Sequence, residues 1–263
     1  MARERNEGEG KAGIEALARL LIELNLTTLA RELPQILTQA EGSAPGYSQF
    51  LREALERELR VRAERRVERH LRWSRLGVGE GLEGFNWGAR PQLAPQAIRE
   101  LETCRFVDER RNLVFVGRSS LGKTRIAKAI GDAACRKGHS VYYTTLGEML
   151  ETLRAARADG TYKKAFRRVI QCALLIVDDA GLEPLSIEAG TELFRVVCGR
   201  YGTRSTVMLA NLPLKRWGDF LPCPAQAVAT IDRLIHNATI LRFSGEPFRR
   251  PREVLGTEPE GDE

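Results

Sequence analysis

Between residues 13 and 40, Ile14, Leu17, Leu21 and Leu24 recur at spacings of three and four with Leu20 beside them, which places them on one face of a helix. Thr27 and Thr28 interrupt that face before Leu29 and Leu33 resume it. A turn around residues 42–46 leads to a long helix over residues 50–76, with Ser48 as its expected N-cap. Beyond residue 88 the pattern changes. Short apolar runs at 112–116, 140–145, 173–177 and 205–210 read as buried strands. They alternate with helical stretches at 95–104, 123–138, 146–158, 162–172 and 187–201, and a further amphipathic helix starts near Ala225. Strands alternating with helices predict an α/β fold, a parallel sheet between layers of helices.

With 263 residues, 43% hydrophobic and 29% charged, the chain suits one full domain and a smaller appendage. The five glycines of residues 77–88 mark the expected linker between them. This gives a flexible tail over 1–12, a basic helical domain over 13–76, a main domain over 89–250 and an acidic, disordered tail over 251–263. The net charge of +6 permits a polyanionic partner. Most of that excess lies in the 50–76 helix, where nine arginines face five glutamates. These residues form either a solvated face stitched by i,i+4 pairs or a surface that neutralises backbone phosphates. The cysteines at 104, 135, 172, 198 and 223 have no C-x-x-C spacing and an odd count, so reduced thiols in a cytoplasmic protein are expected. The densest apolar run, 173–177, is far too short to span a membrane, and no secretory pattern opens the chain.

The strongest chemical signal is Gly117-Arg118-Ser119-Ser120-Leu121-Gly122-Lys123-Thr124, an unbroken G-x-x-x-x-G-K-[ST] between an apolar strand and a helix. In this phosphate loop, backbone N–H groups converge on the β-phosphate, Lys123 adds charge toward the β- and γ-phosphates, and the Thr124 hydroxyl serves Mg²⁺. ATP and Mg²⁺ are therefore the expected ligands. The 173–177 strand ends in Asp178 and Asp179; Asp178 is expected to hold the metal and Asp179 to polarise the attacking water. Asp pairs also serve as turn formers, but a phosphate loop calls for an acid at the end of a neighbouring strand. Asn211, after the 205–210 strand, either holds a water between Asp179 and the γ-phosphate or is a loop residue before Pro213. Arg233 makes a local salt bridge or reaches the nucleotide of the next subunit. Arg154, Arg157, Lys163, Lys164, Arg167 and Arg168 form a second basic cluster. It is either an ordinary solvent face or a phosphate-tracking, sequence-blind surface.

Taken in order, the phosphate loop, Asp178-Asp179 with residues 181–185, Asn211-Leu212-Pro213 with Trp217, residues 232–236 and residues 245–249 resemble the IstB-like AAA+ ATPases. These are ATP-binding helpers of bacterial insertion sequences, related to the DnaC helicase loaders. The resemblance spans about residues 14–250. It implies an AAA+ core with a small N-terminal helical domain, and a homo-oligomer that assembles on duplex DNA and assists a transposase. It makes Lys123 and Thr124 phosphate-loop ligands, Asp178 the metal acid, Asp179 the catalytic acid, Asn211 the sensor and Arg233 the arginine finger. The chain departs from the family pattern at Asp179, where Glu is usual, at Ser120 for Gly, at Ala210 for Ser, and at Pro247-Phe248 for Ser-Tyr before Arg249. Asp179 is one methylene shorter than Glu, so hydrolysis is expected to be slow, and too little chain follows Arg250 for a full helical lid. A DnaC-type loader shares the core, but the leucine-periodic and Arg-rich helices resemble the transposition helpers. A scaffold that binds ATP with little turnover is the further alternative. A small-molecule kinase would need an acceptor pocket and an Arg-bearing lid, whereas the order after Asp178 follows the AAA+ pattern.

Overall fold

The computed structural model describes residues 2–77 and 81–248, the side chains of residues 2–11 excepted. Arg249 and the acidic segment 251–263 lie outside the described residues. The chain divides into two compact units, Met1–Arg69 and His70–Glu263.

The first unit is helical: α1 (Ala2–Glu23), α2 (Thr27–Ser43) and most of α3 (Tyr47–Ser74). α1 already includes residues 2–12, expected as a tail, because Ala, Arg and Glu in that stretch are strong helix formers. The break after α1 is a left-handed turn at Asn25, just before the two threonines. Ser48 falls inside the first turn of α3 and does not cap it, since the helix opens at Tyr47. Leu29, Ile36 and Ala54 form the small core, with Leu21, Leu26 and Phe50 against it. The buried Glu58 on α3 accepts the N–H of Leu29 in the first turn of α2 at 2.8 Å and is bonded by Arg62 at 3.0 Å. Burial pushes the Glu58 carboxyl up, but the Leu29 N–H and Arg62 outweigh it and hold the group below its ordinary range. Among the α3 arginines, Arg57 and Arg62 are tied to Glu32 and Glu58, while Arg52, Arg60, Arg65, Arg66 and Arg69 are exposed.

The boundary falls at residues 69 and 70, ahead of the glycine-rich stretch where the sequence placed it. Leu76, just past the end of α3, and Phe85 belong to the hydrophobic core of the second unit, with Leu71 and Leu82 packed against it. The glycines at 81 and 84 therefore make left-handed turns within this unit rather than a linker between units.

The second unit runs α4 (Pro95–Glu102), α5 (Arg105–Asp108), β1 (Asn112–Val116), α6 (Lys123–Arg136), β2 (Val141–Thr145), α7 (Leu146–Ala158), α8 (Tyr162–Gln171), β3 (Leu174–Ala180), α9 (Ile187–Arg200), β4 (Ser205–Ala210), α10 (Pro224–Ile235) and β5 (Ala238–Arg242). The strands form one parallel sheet in the order β2-β3-β4-β1-β5. Alternate strand residues serve opposite faces. Leu113, Phe115, Leu174, Ile176, Val207 and Leu209 join a core with α6 on one side; Val114, Val116, Leu175, Val177 and Met208 join another with α7, α9 and α10. Strand β5 was not foreseen: of its five residues only Leu241 is buried, so it lacks the apolar run that marked the others. Cys104, Cys135 and Cys172 are buried, and burial pushes the Cys104 thiol to about 11 and that of Cys135 to about 12. Cys198 is exposed.

Candidate nucleotide site

In a parallel sheet the loops at the C-terminal strand ends share one edge, and there β1 delivers the phosphate loop, β3 the two aspartates and β4 Asn211. β4 lies between β3 and β1, so the acid-bearing strand is the next but one to the loop, not its neighbour as expected. Asn211 consequently occupies the gap between loop and carboxylates. These groups line a cleft of about 810 Å³ that runs from Asp178 and Asp179 past Lys123 to Phe85 and Phe248.

The loop is held by close packing. A Cβ on Gly117 would come within 2.4 Å of the Phe243 carbonyl oxygen, and Gly122, at φ +89°, would meet the Phe85 ring at 2.8 Å. Lys123 Nζ donates to the carbonyls of Gly117 at 2.6 Å and Arg118 at 2.8 Å, and to Asn211 Oδ1 at 2.9 Å. Burial pulls this ammonium below its ordinary value, with Asp178 and Asp179 acting against that shift. Asn211 Nδ2 in turn donates to Asp179 Oδ1 at 3.5 Å, and Ser119 Oγ donates to Asn211 Oδ1 at 3.4 Å.

Both aspartates reach the cleft because β3 is irregular. A regular strand would send successive side chains to opposite faces, but the register with β4 shifts between Val177 and Ala180, and Asp179 takes φ +58°. Asp is one of the few residues other than Gly that tolerate this conformation. Asp178 is buried and Asp179 exposed. Asp178 Oδ1 accepts the Asp179 N–H at 2.8 Å, and its Oδ2 accepts the hydroxyls of Thr124 at 2.8 Å and Tyr143 at 2.9 Å. A carboxylate bonded to a hydroxyl beside a phosphate loop is an oxygen donor set that suits Mg²⁺.

Sequence reasoning missed Tyr143, Phe85 and Arg90. Tyr143 comes from β2, and burial followed by the charge of Asp178 and the bond to it raises its phenol well above the ordinary value, so it remains a donor. Lys128 Nζ lies 4.6 Å from the centre of its ring. Arg90 is fully buried; it donates to the carbonyls of Leu121 at 3.1 Å and Glu246 at 2.7 Å, and stacks on Phe248 at 4.1 Å. It thus ties the loop to the segment after β5, whose Phe248 N–H also bonds the Ser120 carbonyl at 2.9 Å. An aromatic pair among glycines, Phe85 and Trp87, was the available signal for this wall.

The structure does not bring Arg233 to this cleft. Its carbonyl and that of Leu234 accept from Asn112 Nδ2 at 3.5 and 3.0 Å, at the start of β1, whereas the phosphate loop follows the end of that strand. No ion pair with Asp232 forms: the guanidinium donates to the Ala229 carbonyl at 2.9 Å and lies 5.4 Å from the Phe194 ring and 5.9 Å from that of Tyr201. Within the expected basic cluster, Arg157 is engaged by Glu192 at 2.6 Å and Tyr162 at 3.9 Å. Arg168 lies 4.6 Å from the Tyr142 ring and 5.6 Å from that of Trp73. Lys163, Lys164 and Arg167 are exposed on α8, and Arg154 is exposed with Glu151 at 3.9 Å.

Residues 19–255 match the family described as IstB-like ATP binding protein. An insertion-sequence ATP-binding protein of Sinorhizobium fredii is 33% identical over 227 residues, covering 86% of this chain and 93% of that protein. The ATP-binding protein of insertion sequence IS21 from Pseudomonas aeruginosa is 30% identical, covering 88% and 87%. In fold, the chain is similar to the DnaC helicase loader, with a TM-score of 0.51 and 21% identity over 57% of this chain and 87% of the loader. It is also similar to AMPPCP-bound DnaA of Aquifex aeolicus, with a TM-score of 0.54 and 18% identity over 65% and 51%. No described helix is long and apolar enough to cross a membrane.

Proposed function

The chain belongs to the IstB-like ATP-binding proteins, and from that premise we propose that it is a DNA-dependent ATPase. It would assemble on duplex DNA as a homo-oligomer and assist a transposase at its target. The observation that supports hydrolysis, beyond binding, is the bridge made by Asn211. One amide carries an acceptor on Lys123 and a donor on Asp179, so it links the group that meets the γ-phosphate to the group that would orient water. In this reading Asp179 holds and polarises the water, Asn211 positions it, and the loop N–H groups with Lys123 stabilise phosphate charge. Thr124 and Asp178 are the residues that would hold Mg²⁺, which when bound spreads the charge of the β- and γ-phosphates. The aromatic wall of Phe85 and Phe248 offers the adenine a stacking surface.

The names of the relatives tie them to insertion sequences, which supports the transposase-helper reading over a helicase loader. Lys163, Lys164 and Arg167, exposed on one helix, are the groups in the predicted cluster best placed to meet backbone phosphate. The test is ATP turnover by the full chain with and without duplex DNA, alongside Lys123→Ala. Turnover that DNA stimulates and the substitution abolishes is expected. ATP binding with no turnover under either condition would leave an ATP-dependent scaffold, and turnover retained by Lys123→Ala would refute the site.

A further inference from the structure

A second cavity, of about 610 Å³, opens beside the same phosphate loop. Pro213, Leu214 and Ile240 contribute an accessible apolar lining, and three cations, Arg118, Lys215 and Arg242, stand around it with no acidic residue among the lining groups. All three are exposed, and among the described residues none of their side chains forms a hydrogen bond or ion pair. Other cations of this unit do find acids. The adjacent Arg216 is paired with Asp219 at 2.8 Å, and elsewhere Arg111 is paired with Glu109 at 2.7 Å and Arg136 with Asp132 at 2.6 Å. Three like charges around one cavity repel one another, and that cost is offset when an anion enters.

We propose that this cavity is a contact site for the sugar–phosphate backbone of nucleic acid, a proposal that rests on the DNA-binding reading above. Phosphodiester oxygens satisfy the guanidinium groups and the ammonium, and the apolar face of deoxyribose packs on Pro213, Leu214 and Ile240. The arrangement carries no base-reading geometry, so the contact adds affinity without sequence preference. It also adjoins the nucleotide site. Arg118 is a residue of the phosphate loop, and Asn211 lines both this cavity and the cleft, where it accepts from Lys123. Backbone phosphate bound here therefore bears on the loop that holds ATP.

The test uses the full-length protein, a labelled mixed-sequence duplex and anisotropy titrations over a range of salt, with Lys215→Ala/Arg242→Ala as the variant. Both residues are exposed and neither belongs to the nucleotide cleft. The log–log salt slope should become shallower by about 1.8, two contacts at about 0.9 each, while affinity for a fluorescent ATP analogue stays unchanged. A wild-type slope retained by the variant overturns this site, and so does a loss of ATP affinity, which would make the cations part of the nucleotide loop. Lys163→Ala/Lys164→Ala serves as the companion: a slope that falls there alone places the backbone on α8 and not in this cavity. Wild-type protein that binds no DNA overturns the underlying reading as well, so the two failures are distinct.

Discussion

Asp178 Oδ2 takes two hydroxyl donors at once, and only one of them, Thr124, belongs to the phosphate loop. The other, Tyr143, holds the carboxylate from the β2 side and would keep that bond if the Thr124 hydroxyl served a metal. Tyr143→Phe removes that donor without opening a cavity. A hydrogen bond to a charged group contributes about 1.5–3 kcal/mol, so turnover should fall about tenfold or more and the Mg²⁺ concentration needed for half-maximal rate should rise. Mg²⁺ titrations of turnover, paired with nucleotide binding in chelator, check this; an unchanged Mg²⁺ requirement reduces Tyr143 to a wall of the cleft. Asp179 makes the opposite prediction. It is exposed and away from the Thr124 bond, so Asp179→Asn should retain nucleotide affinity and slow turnover by about 10²-fold or more. Collapse of Mg²⁺-dependent ATP binding in this variant would exchange the roles of the two aspartates.

Among the elements, α2 depends most visibly on one distant group, because the carboxylate that meets its first turn comes from Glu58 on α3. Glu58→Ala leaves the Leu29 N–H without its acceptor and removes negative charge from a helix N-terminus, at a cost of about 1–3 kcal/mol. Hydrogen exchange should show lost protection across α2. Since the folded-state value of Glu58 is depressed, its contribution is present above the ordinary carboxylate range and lost as the pH falls through the lowered value. Glu58→Gln should therefore flatten the acid limb of the stability profile, and an unaltered acid limb in urea melts would exclude this role. Elements whose signal is local were legible in the sequence: β1, α7 and β4 fall where the apolar runs placed them, and the spacing of residues 117–124 fixes loop and helix together. Features made by tertiary packing were not. β5 is recognisable only once it pairs with β1, Asp179 enters the cleft through a register shift, and Arg90 and Tyr143 reach their partners across 31 and 35 residues of chain. The glycine-rich segment misled for the same reason, since Phe85 and Leu82 pack into a core that composition does not reveal.

At the scale of the whole molecule, Arg233 stands apart from the cleft of its own subunit. Its backbone lies at the start of β1 and the phosphate loop at the far end, five residues away, about 16 Å along an extended strand. An arginine side chain does not cover that span, and its guanidinium lies against Phe194 and Tyr201. If it takes part in hydrolysis, it does so in the site of another copy, where a guanidinium can share charge developing on the γ-phosphate. Arg233→Ala should then bind ATP nearly as the wild type does, because its own phosphate loop is intact, and yet hydrolyse almost none. Mixing separates this from a structural defect. A Lys123→Ala subunit cannot use ATP but still presents Arg233; an Arg233→Ala subunit lacks the finger but keeps its loop. Co-assembled on DNA, the two inactive variants should recover turnover that rises and falls with their mixing ratio. No recovery at any ratio, in mixtures shown by differential labelling to contain both chains in one assembly, would leave Arg233 as a structural residue of α10.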